Sequence, residues 1–425
     1  MMTDIPGLPA RRAALKLLDA VLRRGQALEN ALGHACQGLD NPADRGLAHA
    51  IASETLRRMP DLDTLIDSAT KQRLPDDAKA RMVLRIALTQ TLCLGTPAHA
   101  AIATALPLVE GGPKKLVHGV FGTLSRGGAQ LREVPMLPDP VELRWDAAWG
   151  PMMVDNARRA LAAPPPHDLT LRDPAQTEHW VEELKGTSLA PGHVRVSADA
   201  KITELPGFEE GAWWVQNIAA SLPARVLRAG DGRTVLDLCA APGGKTMQLA
   251  AAGWRVTAVE KVVARAERIR ENLGRVGLDA EIVTADILKW QPDEKVDAIL
   301  LDAPCTATGI FARHPDVLHR VRPKDIREMA ELQGKLLARA SGWLKPGGTL
   351  IYAVCSLEPG EGEDIVAQAE NAAQVLGITL DPIRSEDLTM FDSSLGIAPD
   401  EHGCARILPR IGVDGFFVAR FRKVI

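Results

Sequence analysis

Between residues 11 and 126 the apolar positions recur every three or four residues. Ala14, Leu17, Leu18, Val21 and Leu22 fall on one helix face, and the stripe returns in Leu47, Ala48, Ile51 and Leu56, in Leu62, Leu65 and Ile66, and from Met82 to Leu94. The spacing predicts an all-α bundle over residues 1–132. Glu133-Val-Pro-Met-Leu-Pro-Asp-Pro140 breaks the period, so residues 133–144 read as a linker. Residues 145–223 are mixed, with a helix over 152–161, a Pro164-Pro165-Pro166 break and short strands at 168–172 and 192–197, which predicts a small α+β module. From residue 224 the pattern changes again. Short apolar runs at 234–238, 255–259, 281–285, 296–301 and 349–354 alternate with amphipathic stretches such as 262–273 and 326–344, and predict a Rossmann-like α/β domain with a doubly wound parallel sheet over 224–425. Apolar runs at 406–411 and 416–421 flank Val413-Asp414-Gly415, the pattern of a closing antiparallel hairpin.

Composition adds limits. The 425 residues are long enough for two or three domains. A net charge of -4 excludes a uniformly basic coat, so any nucleic-acid site must be a local patch. Arg11, Arg12, Arg23, Arg24, Arg57, Arg58, Lys71, Arg73, Arg81, Arg85, Lys114 and Lys115 are candidates within the bundle, either as a solvated face or as phosphate contacts. The six cysteines show no metal-ligand spacing and no disulfide framework, so reduced thiols and no metal are expected. Met1 to Ala10 lacks the apolar core of a signal peptide and no uncharged run is long enough to span a bilayer; a cytoplasmic protein without a membrane partner is expected.

Candidate chemistry centres on Thr234-Val-Leu-Asp-Leu-Cys-Ala-Ala-Pro-Gly-Gly-Lys-Thr246, a strand that collapses into small residues before a helix begins. Glycines admit a ligand close to the backbone, and the first amides of a helix have no partner inside it, so a nucleotide-like ligand suits the loop. A phosphate-binding P-loop would need glycine where Cys239 stands, and no G-x-G-x-x-G is present. In open α/β sheets ligands bind beyond the carboxyl ends of the strands. Glu260, Asp286, Asp302 with Cys305, and Cys355 stand at the ends of successive predicted strands. Glu260 suits a ribose diol and Asp286 an adenine amino group, and with the loop they suggest an adenosyl cofactor. Singly, either could be a helix cap. Two thiols facing one ligand suit a different task. A pyrimidine C5 is a poor nucleophile until a thiolate adds to C6, after which C5 can attack a sulfonium methyl; the site then needs one thiolate, one base and an acid to polarise N3.

These residues carry a resemblance. Leu236 to Thr246, Asp302-Ala-Pro-Cys305 with Thr308-Gly309, Arg313-His-Pro-Asp316, Cys355-Ser356 with Pro359 and Glu361, and Asp414-Gly-Phe-Phe417 resemble the Sun/Nop RNA 5-methylcytosine methyltransferases. Pro97-Ala-His-Ala-Ala101 and Lys115-Leu-Val-His-Gly-Val120 resemble a NusB-like RNA-binding domain. The resemblance implies Cys355 as nucleophile, Cys305 as the thiol that releases product and Asp302 as the acid at N3, with Lys245 beside them. It implies S-adenosylmethionine as cofactor, held by Cys239, Ala240, Ala241, Pro242, Gly243, Gly244, Lys245, Glu260, Asp286 and Asp302. The pairing of the two halves implies small-subunit ribosomal RNA as partner; a monomer is expected. Three departures stand out: Glu260 where Asp is commoner, Leu318 where a basic residue is expected, and Gly362 in place of asparagine. Transfer RNA as substrate, or a non-catalytic RNA-binding factor with a relic catalytic half, are the alternative readings.

Overall fold

The computed structural model describes residues 5–424. The first four residues, within the domain expected at 1–132 and the stretch in which no signal-peptide core was expected, and the last one, within the domain expected at 224–425, lie outside them. The helices are α1 Leu8–Leu22, α2 Leu28–Ala35, α3 Pro42–Arg57, α4 Met59–Ser68, α5 Lys79–Leu92, α6 Ala98–Ala105, α7 Gly112–Arg126, α8 Asp139–Trp149, α9 Pro151–Leu161, α10 Thr177–Glu183, α11 Ile218–Leu227, α12 Gly244–Ala251, α13 Val263–Val276, α14 Val317–Arg320, α15 Pro323–Ser341, α16 Glu363–Asn371 and α17 Ala373–Leu376. The strands are β1 His167–Leu171, β2 His193–Val196, β3 Trp213–Val215, β4 Thr234–Leu238, β5 Arg255–Glu260, β6 Glu281–Thr284, β7 Val296–Asp302, β8 Leu344–Val354, β9 Ile378–Leu380, β10 Ala405–Ile407 and β11 Phe416–Lys423. The chain forms two compact units: one of residues up to Ala163 with Phe311–Val321, the other of Pro164–Ile310 with Arg322–Ile425.

The first unit is helical. The stripes foreseen in α1, α3, α4 and α5 bury Leu17, Leu18, Val21, Ile51, Leu56, Leu62, Ile66 and Leu84 in one core. Four of the candidate phosphate contacts are structural instead. Arg81 is fully buried between Asp63 and Asp67. Arg85 grips Asp63 with two hydrogen bonds of 2.8 and 2.7 Å. Arg57 donates to Glu54 and to the Ala312 carbonyl, each at 2.9 Å, and Arg11 to Gln90 at 2.7 Å. A guanidinium inside a core must be paired, and pairing removes it from the surface. By contrast Arg12, Lys71, Lys114 and Lys115 are exposed, with no ion pair among the described residues.

Two boundaries differ from the sequence reading. The stretch expected as a linker, 133–144, contains the start of α8, because Pro140 sits in its first turn, where a missing N–H costs nothing. Helix α9, expected in the 145–223 module, clusters with the helical unit, as does Phe311–Val321 from the expected 224–425 domain. In that segment Phe311 is fully buried 5.3 Å from the Trp145 ring. Asp316 accepts from Leu28 N and from Arg320, and His319 Nε2 lies 2.7 Å from the Leu56 carbonyl. Leu318, where a basic residue was expected, is a buried core residue rather than a lost phosphate contact.

The second unit holds two sheets. The small one has order β2-β1-β3, all antiparallel, with β3 unforeseen. The large one runs β10-β11-β8-β7-β4-β5-β6, with β9 pairing β11. Strands β6, β5, β4, β7 and β8 are parallel and β11 is antiparallel to β8. Alternate residues serve opposite faces: Val235, Ala298, Leu300, Ile351 and Val418 pack toward α11 and α12, whereas Leu236, Ile299, Leu301, Leu350 and Phe417 pack toward α15 and α16. The expected hairpin forms, but its turn is Ile411-Gly412 rather than Asp414-Gly415. β10 and β11 pair, Ile407 opposite Phe416, Arg410 and Val413 exchange backbone hydrogen bonds of 3.2 and 2.9 Å, and Gly415 N donates to Gly309 O at 2.8 Å.

Candidate active site

Strand β4 is followed in the sheet by β5 and β6 on one side and by β7 and β8 on the other. The switch point, where an α/β sheet opens a crevice at its carboxyl edge, therefore lies between β4 and β7. The sequence candidates gather along that edge: Cys239 to Lys245 after β4, Glu260 at the end of β5, Asp286 two residues beyond β6, Asp302 at the end of β7, and Cys355 immediately after β8.

The loop after β4 turns sharply. Cys239 has a φ of 63°, and its N–H and that of Ala240 both reach the Val259 carbonyl, at 2.9 and 3.2 Å. Gly243, with a φ of 102°, leads into α12; a Cβ there would lie 3.2 Å from Ile269. Behind the loop Asp237 is fully buried and accepts from Thr246 Oγ1 at 2.6 Å, while its Oδ1 has no partner among the described residues. Burial, with the charge of Asp302 adding to it, pushes the Asp237 carboxyl up to about 7.

Glu260 is buried too. Its Oε1 accepts from Val262 N at 3.0 Å with Arg265 at 3.7 Å, and its Oε2 has no partner among the described residues. Asp286 pairs with Lys261 at 3.0 Å, and that hydrogen bond, ahead of the one from Leu288 N, holds its carboxyl below the usual range.

The other half of the site is a pair of sulfur atoms. Cys305 Sγ and Cys355 Sγ are 3.5 Å apart. Donation to Cys355, then burial, then the charges of Cys355 and Glu361 push the Cys305 thiol well above its ordinary value. Lys245 Nζ donates to Asp302 Oδ2 at 2.6 Å and stands 5.3 Å from the centre of the Phe416 ring. Burial opposes its charge, but Asp302 and then Cys355 outweigh burial and raise its pKa.

Other residues were not singled out from sequence. Gln333, on α15, is fully buried and donates to Pro304 O at 2.8 Å and to Glu361 at 2.9 Å. A glutamine three and four residues before Leu336 and Leu337, inside an apolar stripe, is the signal that could have found it. Thr306 left no such signal, and Phe416 was marked only as part of Asp414-Gly-Phe-Phe417. Gly362, the unexplained departure, has a reason: a Cβ there would lie 2.5 Å from Arg406 Nη2 and 3.1 Å from the Phe417 ring. Arg406 grips Glu363 with bonds of 2.9 and 2.8 Å and also reaches the Ser356 carbonyl.

Fold and site together define a methyltransferase-type α/β enzyme joined to a helical domain. Residues 224–422 match the family described as 16S rRNA methyltransferase RsmB/F, and residues 8–122 match the NusB family. The protein called ribosomal RNA small subunit methyltransferase B from Klebsiella pneumoniae subsp. pneumoniae is 33% identical, over 97% of this chain and 98% of its own length. Its namesake from Pseudomonas syringae pv. tomato is also 33% identical, over 97% of each. Among solved structures, PH0851 superposes with a TM-score of 0.74 at 22% identity over 98% of this chain and 99% of its own, a likeness of fold. A methyltransferase homologue from Pyrococcus horikoshii reaches 0.55 at 26% identity, over 71% of this chain and 98% of its own. The chain belongs to the ribosomal RNA small subunit methyltransferase B family.

Proposed function

We propose that this protein transfers the methyl group of S-adenosylmethionine to C5 of a cytosine in small-subunit ribosomal RNA, through a covalent bond from Cys355 Sγ to C6 of the base. The observation that carries the reading is the pair of sulfurs, 3.5 Å apart at the carboxyl ends of adjacent parallel strands beside the glycine loop. The cofactor supplies an electrophilic methyl on a sulfonium. The residues present suit it: a buried Glu260 with one oxygen open to hydroxyl donors, an orphaned Asp237 oxygen under the loop, and Asp286 at the next strand end. Cys239 to Lys245, Glu260, Asp286 and Asp302 would hold it.

The protein's own steps follow from charge. Cys355, with Lys245 near it, adds as thiolate to C6 while the Lys245–Asp302 pair provides the proton that neutralises N3; C5 becomes nucleophilic and takes the methyl. Once Cys355 is a thioether it neither takes the Cys305 hydrogen bond as a thiolate would nor bears charge, so two of the causes that hold Cys305 protonated disappear. The proton on N3 returns to the Lys245–Asp302 pair, Cys305 gives its own proton to solvent water and takes the one on C5, and Cys355 departs as thiolate while the C5–C6 double bond reforms. The base must leave its stack to reach both sulfurs, which favours a looped RNA segment. Among the described residues no helix is long and apolar enough to cross a membrane.

The test is direct. Cys355→Ala should abolish methyl incorporation while cofactor binding survives; retained turnover would overturn the assignment. Cys305→Ala should trap an RNA adduct that survives a denaturing gel, and its absence would reassign that thiol. Bisulfite sequencing of ribosomal RNA from cells lacking the protein should show one cytosine losing its protection, and a change in transfer RNA instead would favour that substrate.

A further inference from the structure

Behind the two sulfurs lies a carboxylate that none of the steps above uses. Glu361 sits on the turn Pro359–Glu361 and is fully buried. Its side chain accepts four hydrogen bonds. Thr306 N reaches Oε2 at 2.9 Å and Thr306 Oγ1 reaches Oε1. Ser356 Oγ reaches Oε1 at 2.7 Å, and Gln333 Nε2 reaches Oε2 at 2.9 Å. Thr306 directly follows Cys305, and Ser356 directly follows Cys355. The Tyr352 hydroxyl donates to the Glu361 carbonyl at 2.6 Å and ties the turn to β8.

Burying a carboxylate is costly unless its lone pairs are met, and burial does raise the Glu361 pKa against the pull of these donors. Packing alone would be served better by an apolar side chain. What this arrangement does is join two turns from different strands through one rigid, bidentate acceptor. Gln333 extends the clamp to the Pro304 carbonyl, on the other side of Cys305. The turn after Cys355 is held on its far side as well, because Gly309 N donates to the Cys355 carbonyl at 2.9 Å.

We infer that Glu361 is a positioning residue which holds the Cys305 turn against the Cys355 turn, and thereby sets the separation of the two sulfurs for the release step. The inference rests on the covalent reading above. It predicts a specific split: loss of the clamp spares bond formation by Cys355, which needs only its own sulfur, and slows release, which needs both.

Glu361→Gln keeps the shape but presents an amide N–H₂ to donors. In the full-length protein it should still form the RNA adduct, which should persist about tenfold longer than in wild type, the order expected when charge-assisted hydrogen bonds that hold a geometry are lost. A second readout needs neither RNA nor methyl donor. Diamide takes up the two hydrogens that Cys305 and Cys355 lose on forming a disulfide, and the rate of closure, followed by alkylation and mass spectrometry, gauges how often the sulfurs meet. That rate should also fall about tenfold in the variant. Thr306→Val and Ser356→Ala remove one donor each and should act in the same direction, so the proposal stays testable if Glu361→Gln does not fold. Wild-type adduct lifetimes together with wild-type closure rates would overturn it. Retained turnover by Cys355→Ala would remove the covalent reading itself, whereas the diamide rates judge the clamp independently of that outcome.

Discussion

Asp168 shows what a single side chain does when the chain folds around it. It is fully buried at the junction of the small sheet with α11, and accepts from Arg195 at 2.7 and 3.0 Å, from Asn217 at 3.2 Å and from Ile218 N at 3.0 Å. Burial would raise its pKa, but His193 and Arg195 outweigh it and bring the carboxyl down to about 2. A folded pKa below the unfolded value of about 3.9 means that its contribution, roughly 2 kcal/mol, is present above pH 4 and lost as pH falls toward 2. Asp168→Asn should therefore be less stable than wild type at pH 7, and the gap in urea unfolding should narrow between pH 4 and pH 2. Gly362 is a second case at this scale. Gly362→Asn should displace Arg406 from Glu363 and Ser356 and cost about 1–3 kcal/mol in the same assay, as overpacking does; an unchanged midpoint would mean that Arg406 moves aside freely.

Elements explain why the site sits where it does. The parallel strands place five sets of candidate residues along one edge, and the switch between β4 and β7 brings the glycine loop to Asp302. The loop after β7 is then fixed by close backbone approach. A Cβ on Gly309 would lie 2.2 Å from the Gly415 carbonyl and 3.0 Å from that of Cys355. Gly309→Ala must push these turns apart, so methylation should fall at least about tenfold while cofactor binding, proposed for the loop after β4 with Glu260, Asp286 and Asp302, is kept. Equal loss of both would place the loop in the cofactor site instead.

Across the whole molecule, the chain visits the helical unit twice. Phe311–Val321, reached directly from the loop that carries Gly309, contributes Phe311, Leu318 and His319 to the helical core. Deleting residues 1–132 would strip the cover from these side chains, so a truncation does not isolate RNA binding. Point changes do. If Lys114 and Lys115 contact phosphate, neutralising both should reduce the slope of log affinity against log salt by roughly 0.7–0.9 per contact, with the melting curve unchanged; an unchanged slope would leave them as solvated surface. His319 adds a pH test. Burial lowers its pKa to about 4, below the unfolded value of about 6.5, so the neutral form is the folded one. Stability of the helical unit should fall as pH drops from 6.5 toward 4, and His319→Gln should flatten that dependence.

Periodicity alone foretold the bundle and the alternating α/β half, because amphipathic stripes of 3.6 and runs of β-branched residues are local properties. Motif spacing likewise marked the strand-end residues that the sheet brings to one edge, since short glycine loops and strand termini are written in a few consecutive letters. Three things required the folded chain. Burial decided which arginines are paired inside and which face water. Steric space explained Gly362, whose neighbours Arg406 and Phe417 come from more than forty residues away. The clamp of Glu361, Gln333, Thr306 and Ser356 unites groups spread over fifty-five positions, and only strand pairing brings them to one point. Such contacts depend on the path of the backbone through space, which no local pattern encodes.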